Sequence, residues 1–301
     1  MSQRVAIVTD EPGWHGARLQ AAFAARGCAV TTWSLRDCRL AAGPADAGVI
    51  VPMAGLPDAV FVRGVAGGSL EEVVFRLNVL HALQAEGVVV YNDGRAIERS
   101  VDKAYTSYLL ARAGLPTPPT WIVESAEQAR ALTRRETAQG EALVCKPLFG
   151  SQGKDLVLVR GLADLPAAEA VHGVWYLQRY LPTAESGSTD WRVFVIGGRA
   201  VAAAQRSAAG WPSNVARGGR CHAALPDAGV RGLAETAAEL LGMGYAGVDL
   251  LRDRCGVWWV LEVNSIPAWR GLQQVTELDI AGLLADDLLR RCAPAVREVA
   301  S

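Results

Sequence analysis

Lysine is nearly absent. Of 30 Lys plus Arg residues only Lys103, Lys146 and Lys154 are lysines, and all lie between positions 103 and 154. The six cysteines, at 28, 38, 145, 221, 255 and 292, are scattered and form no Cys-x-x-Cys pair. That usage fits a reduced cytoplasm and small buried side chains rather than a disulfide framework. The four histidines have no mutual metal spacing. No apolar run approaches the length of a membrane helix. The N-terminus, Met1-Ser-Gln-Arg-Val-Ala-Ile-Val, enters a short apolar strand with no signal-peptide core. A cytoplasmic location and no membrane partner are expected. With 20% charged residues and a net charge of -1, nothing favours nucleic acid either. Two phosphate-binding signatures are missing as well. Asp10-Glu-Pro-Gly13-Trp-His-Gly16 lacks the G-x-G-x-x-G order of dinucleotide folds. Gly153-Lys154 precedes Asp155 rather than Ser or Thr, and position 148 is Leu, so it is not a Walker loop.

Half of the 301 residues are hydrophobic, enough for a sizeable core in one large domain or two to three small ones. Strands are expected at 4–9, 29–33, 58–62 and 88–91, and helices at 15–26 and 70–86, with Ser69 as N-cap of the second helix. Strands and helices that alternate with short links predict a parallel α/β layer over residues 1 to about 95. A small α+β module follows over about 100–180. It has helices at 102–113 and 126–136, and strands at 120–123, 142–146 and 156–160. Beyond it come a hairpin, 191–196 and 200–204, a helix at 229–241, a second hairpin, 246–251 and 257–263, and a helix at 279–291.

Chemistry concentrates in two places. Lys146 ends the apolar run Ala142-Leu-Val-Cys and precedes the flexible loop Gly150-Ser-Gln-Gly153-Lys154. Lysine is a compact point charge and arginine a planar fork. A chain that writes its other cations as arginine has a use for its lysines, and nucleotide phosphate is the expected one; compositional bias is the alternative. In the last hairpin, Gly247-Val-Asp249 faces Leu261-Glu262-Val-Asn264. Glu262 and Asn264 share a strand face, and Asp249 is expected roughly opposite position 260 as a diagonal neighbour of Glu262. Three hard oxygen ligands suit Mg²⁺. The alternative is a set of solvent-facing polar positions on half-buried strands.

The ordered set of phrases resembles the ATP-grasp superfamily, and within it the ribosomal-S6-type (RimK-like) glutamate ligases. Its pieces are Asp102-Lys103, Leu115-Pro-Thr-Pro, Val144-Cys-Lys146-Pro with Gly150 to Gly153, Gln178-Arg-Tyr-Leu, Asp190-Trp-Arg192, Arg206 with Trp211-Pro-Ser-Asn214 and Gly218-Gly219, Ala246-Gly-Val-Asp249, and Glu262-Val-Asn264-Ser-Ile-Pro267. Phe61-Val-Arg63-Gly, Tyr91-Asn92 with Ala96-Ile-Glu98, and Asn264-Ser-Ile-Pro-Ala-Trp look closest to the branch that adds glutamate to tetrahydromethanopterin-like tails.

The resemblance implies an N-terminal α/β domain at 1–98, a central lid subdomain at 99–182 and a C-terminal subdomain at 183–301. It implies ATP and Mg²⁺ as cofactors, with two metal ions, or Mn²⁺ in their place. Lys103 and Lys146 would hold phosphates under a flap of Gly150, Ser151, Gln152 and Gly153. Gln178, Tyr180 and Leu181 would read the adenine, and Asp190 a ribose hydroxyl. Arg192, Arg206 and Asn214 would serve catalysis and substrate carboxylates, and Asp249, Glu262 and Asn264 the metal. The family's hinge reads Gln-Glu where this chain has Gln178-Arg179, so a carboxylate is missing there and Arg179 is expected to be a solvated strand charge. Trp211 and Trp269 are candidates to line a flat substrate. The implied reaction joins L-glutamate to a small-molecule carboxylate through an acylphosphate. The expected acceptor is the tail of a tetrahydromethanopterin- or methylofuran-type carrier, and the expected assembly a homo-oligomer, dimer or tetramer. The rivals are a ribosomal protein S6-type, amino-acid-pathway or peptide acceptor, and a non-catalytic nucleotide-binding protein.

Overall fold

Arg-Val-Ala-Ile-Val has no polar alternation, as a strand covered on both faces requires. In the computed structural model it forms β1 (Arg4–Val8) and is buried from Val5 onward. The structure describes residues 2–43, 47–150, 155–183, 188–208 and 220–293, with backbone alone at 188, 208 and 220. The chain divides into two compact units: residues 1–98, 242–245 and 265–301, and residues 99–241 and 246–264.

In the first unit β1 is followed by α1 (Gly13–Ala24), β2 (Ala29–Trp33), a small hairpin of β3 (Arg39–Ala41) and β4 (Gly48–Ile50), β5 (Ala59–Val62), α2 (Leu70–Ala85) and β6 (Val89–Tyr91). The main sheet runs β2-β1-β5-β6, parallel throughout. This is the expected layer; the β3–β4 hairpin was not foreseen. Ser69 caps α2 as expected. Its hydroxyl accepts the Glu72 N–H at 3.3 Å, while the Glu72 carboxylate accepts the Ser69 N–H at 2.8 Å. Such a reciprocal cap contributes about 1 kcal/mol. Gly87 then ends the helix with φ of 84°.

The second unit begins within α3 (Gly94–Val101), continues through α4 (Lys103–Arg112), and carries two antiparallel sheets. The first is built from β7 (Thr120–Val123), β8 (Leu143–Lys146), β9 (Val157–Val159) and β10 (Trp175–Arg179), in the order β7-β10-β8-β9. Helix α5 (Ala126–Ala138) packs behind it, over Leu143, Cys145, Trp175 and Leu177. The second contains β11 (Ser188–Ile196), β12 (Arg199–Ala208) and β13 (Arg220–Ala224), then, after α6 (Ala228–Leu240), β14 (Tyr245–Arg252) and β15 (Trp258–Asn264). Its order is β13-β12-β11-β14-β15.

The last helices, α7 (Arg270–Gln273) and α8 (Ile280–Cys292), belong to the first unit. Asn92 stitches that unit's segments together. Its side-chain oxygen accepts the N–H groups of Gly244 and Tyr245, at 2.7 and 3.1 Å, and its amide donates to the carbonyls of Tyr245 and Ser265, both at 2.7 Å. A buried amide is tolerated only when satisfied in this way. Among the described residues no helix is long and apolar enough to cross a membrane.

Candidate active site

The site grows from strand alternation in the second unit. In β8, Leu143 and Cys145 enter the core under α5, so Val144 and Lys146 take the opposite face. Lys146 pairs in register with Tyr176 of β10, and Val144 with Gln178, which puts Lys146, Tyr176 and Gln178 on one face. The Lys146 ammonium donates to the Gln178 side-chain oxygen at 2.6 Å and lies 5.8 Å from the Tyr176 ring centre. Gln178 in turn donates to Thr120 at 3.0 Å and to the Tyr176 hydroxyl at 3.2 Å, and that hydroxyl lies 2.7 Å from Ser107. Gln178 is buried. Its side-chain oxygen is taken by the Lys146 ammonium.

Lys103 opens α4, just after the N-cap Asp102. Its ammonium donates to the carbonyls of Leu148 and Gly150, at 3.2 and 2.8 Å, at the root of the glycine loop. A narrow pocket joins Lys103, Lys146, Tyr176, Ser107 and Glu262. Burial pulls Lys146 down from the usual lysine range to about 8, against the attraction of Glu262. Burial lowers Lys103 too, with Glu262 and Asp102 opposing. Two ammonium groups facing one carboxylate in a confined space form a receptor for a polyanion with a cation. Ser151, Gln152, Gly153 and Lys154 lie outside the described residues, as do Trp211, Asn214, Gly218 and Gly219.

The last hairpin corrects the expected register. A bulge between Asp249 and Leu250 leaves Leu250 paired with Val260 and brings Asp249 directly opposite Glu262, not diagonal to it. Gly247 pairs with Asn264, whose amide donates to the Gly247 carbonyl at 3.3 Å.

Asp249 is buried, and arginines hold it. Arg192 grips it with both prongs, Nε to Oδ1 and Nη2 to Oδ2, each at 2.7 Å. The Nη2 of Arg206 reaches the same Oδ2 at 3.0 Å, and its Nε donates to Asp190 at 2.5 Å. Strand geometry dictates the chain of charges: Asp190 and Arg192 are two apart on β11, and Arg206 faces Asp190 across β12. Burial works against the Asp249 carboxylate, but the two guanidiniums outweigh it and hold its pKa below the ordinary value. Burial likewise opposes Arg206, and Asp249 with Asp190 raises it. Arg192, Arg206 and Asp190 were expected to meet ligand groups; here they meet Asp249 and one another.

The donor set fits Mg²⁺ in part. Glu262 and Asn264 offer hard oxygens beside the lysines, and Mg²⁺ takes few protein ligands when phosphates and water complete its shell. Asp249 has about three of its four lone-pair sites taken by the two guanidiniums.

At the hinge, Arg179 is not a solvated charge. Its Nη2 reaches Glu136 of α5 at 2.6 Å, and Glu136 also takes Arg135 at 2.9 Å. Burial raises the Glu136 carboxyl, and the two arginines more than offset it, so its pKa is lowered. The Tyr180 N–H donates to the Ala142 carbonyl at 2.8 Å. Tyr176 escaped the sequence reading, which took Arg179 as a strand charge but gave that strand no bounds; Ser107 and Glu136 sit on α4 and α5, where no motif marks them. The apolar run Val174-Trp-Tyr-Leu177 was the available signal for Tyr176.

The model of the RimK-like ATP-grasp domain matches residues 100–288. The tetrahydromethanopterin:alpha-L-glutamate ligase of Methanosarcina acetivorans is 36% identical over 248 residues, covering 71% of this chain and 74% of that protein. The ligase of the same name from Methanococcus maripaludis is 32% identical over 235 residues, covering 76% and 78%. Among solved structures, the ATP-grasp ligase PsnB, complexed with a phosphomimetic variant of minimal precursor, Mg and ADP, superposes with a TM-score of 0.71 at 23% identity, covering 97% of this chain and 99% of that one. That likeness concerns the fold.

Proposed function

Because this chain belongs to the RimK-like ATP-grasp family, we propose that it is an ATP-dependent ligase that joins L-glutamate by an amide bond to the carboxylate tail of a pterin-type one-carbon carrier. ATP phosphorylates the acceptor carboxylate, giving an acylphosphate and ADP. The glutamate amine then attacks the acyl carbon, and phosphate leaves. The observation that carries the reading is the pocket in which Lys103 and Lys146 face Glu262. The two ammonium groups bind phosphate oxygens, and transfer to phosphate restores the full charge that burial works against at Lys146. Glu262 and Asn264 would hold Mg²⁺, which would supply charge neutralisation for phosphoryl transfer. Gln178 fixes the direction of the Lys146 ammonium. Arg192 and Arg206 carry five N–H donors each, more than Asp249 and Asp190 consume, and the remainder serves the acylphosphate or a substrate carboxylate. Such catalysis is mostly positioning and charge compensation. On this reading the two sheets of the second unit are the halves that clasp the nucleotide, with the loop from Gly150 to Gly153 as flap and Asn214 orienting substrate. The acceptor class comes from the named relatives. The test is ADP release with a panel of carboxylates and L-glutamate, with products read by mass. A glutamyl mass gain on a small carboxylate supports the reading; gain only on a protein C-terminus replaces the acceptor; no ADP release with any carboxylate defeats it.

A further inference from the structure

In the first unit, β1 lies between β2 and β5. From β1 the chain builds β2 on one side and later β5 on the other, so strand order reverses there. Ligands of open parallel sheets bind outside the carboxyl ends of the strands at such a switch. Both ends are tied here: the N–H groups of Arg63 and Gly64 donate to the Val8 carbonyl, at 2.8 and 3.1 Å. Arg63 therefore leaves β5 at the switch itself.

Its guanidinium is unlike the chain's other sheltered ones. Arg26, Arg76, Arg179, Arg192 and Arg206 each hold a carboxylate. Among the described residues Arg63 holds none. Its Nη1 makes one long bond, 3.5 Å, to the Ile266 carbonyl, and its Nε is buried without an acceptor. The guanidinium lies over the Trp269 indole, 5.4 Å from the ring centre. Burial works against its charge, with Tyr245 the one group pushing the other way. A purely structural arginine in such a place leaves a desolvated donor unsatisfied, which is costly; a ligand that visits would offset that.

The neighbours are arranged for an anion. His15 of α1 accepts the Trp269 backbone N–H at Nε2, 3.1 Å away, which leaves its proton on Nδ1 as a donor. Burial, then Arg63 and Arg270, hold His15 near 4, neutral at pH 7. Trp14 and Trp269 bracket the imidazole edge-on, at 5.0 and 4.4 Å. Trp14 is half-buried and Arg270 exposed.

We infer that the switch point of the first unit is a carboxylate-binding site, with Arg63 as the anchoring fork, His15 and Arg270 as further donors, and Trp14 as an apolar wall. The inference rests on the proposed ligase reading for the origin of the carboxylate, which is either L-glutamate or the tail of the acceptor. The full chain, loaded with Mg²⁺ and a non-hydrolysable ATP analogue, is titrated calorimetrically with L-glutamate and, separately, with pteroylglutamate as a carboxylate-tailed pterin. One of the two should bind saturably. Arg63→Gln should weaken that binding about thirtyfold or more, Arg63→Lys by less, and Arg270→Gln about threefold, with affinity for the ATP analogue unchanged. If Arg63→Gln fails to fold, the other two variants carry the test. Saturable binding of neither ligand to the wild type overturns the inference, as does binding within twofold of wild type in every folded variant. If no glutamyl product ever forms yet carboxylate binding depends on Arg63, the proposed reaction falls and this site stands.

Discussion

Asp249→Asn removes a buried carboxylate that two guanidiniums share. The shape survives, but one oxygen becomes an NH₂ donor aimed at another donor. Arg206 retains Asp190, whereas Arg192 loses one of its two short bonds, at 2.7 Å each, and keeps the other to the amide oxygen. Breaking a fully buried pair costs about 3–5 kcal/mol. The Arg192 side chain is 20% exposed and recovers some solvation, so the cost here is about 2–4 kcal/mol. For a unit of this size that is a fall in melting temperature of roughly 4–12 °C. Differential scanning fluorimetry of Asp249→Asn, Arg192→Gln and the double variant forms the assay. The two single effects should exceed the double by about 1.5 kcal/mol or more, because they share one interaction. The sign with pH follows from the depressed carboxyl: its stabilisation is fully present above its ordinary pKa of 3.8 and is lost as pH falls through the folded value. The acid limb should be shallower in the Asn variant than in wild type, since Glu136 and other depressed carboxyls still contribute theirs. A melting shift under about 2 °C, or strict additivity, would refute the assignment of Asp249 as the arginine anchor.

Three further outcomes are expected. Affinity for an Mg²⁺–ATP analogue should be flat from neutral pH to about 8 and then fall up to tenfold per pH unit, because Lys146 sheds its proton near 8 unless phosphate holds it; a flat titration to pH 9.5 contradicts the lysine's role. Glu262→Gln should melt within about 2 °C of wild type yet lose Mg²⁺-dependent ADP release; turnover near the wild-type rate removes Glu262 from the metal set. Arg179→Glu should place a third carboxylate beside Glu136 and Glu141 and destabilise the β7-β10-β8-β9 sheet by about 2 kcal/mol or more; urea unfolding with an unchanged midpoint would return Arg179 to the status of a surface charge.

The sequence made the lysines conspicuous through their scarcity, and both described ones do line the pocket with Glu262. Short apolar runs with helical links were enough for the parallel layer, because burial on both faces removes polar alternation. What stayed hidden was of two kinds. The hairpin register lies one residue from the expected one at Leu250, and a bulge, which no residue type announces, adds a second, so that Asp249 faces Glu262 directly rather than position 260. The commitments of Arg192, Arg206 and Arg179 depend on which strand lies beside which, and the order β13-β12-β11-β14-β15 is not written in periodicity. The bounds of β10 were missed because its apolar run is short and ends in the polar pair Gln178-Arg179, so neither a long unbroken run nor a period of two marks it.

The most direct test of the account is a competition among the proteinogenic amino acids for one carboxylate. The full chain is incubated with ATP, Mg²⁺, a carboxylate-tailed pterin and the equimolar amino-acid mixture, and the products are resolved by mass spectrometry alongside ADP. The account predicts one dominant product, the L-glutamyl amide of the pterin tail, formed in step with ADP and phosphate. Preferred incorporation of another amino acid, or ADP release with no amide formed, would contradict it.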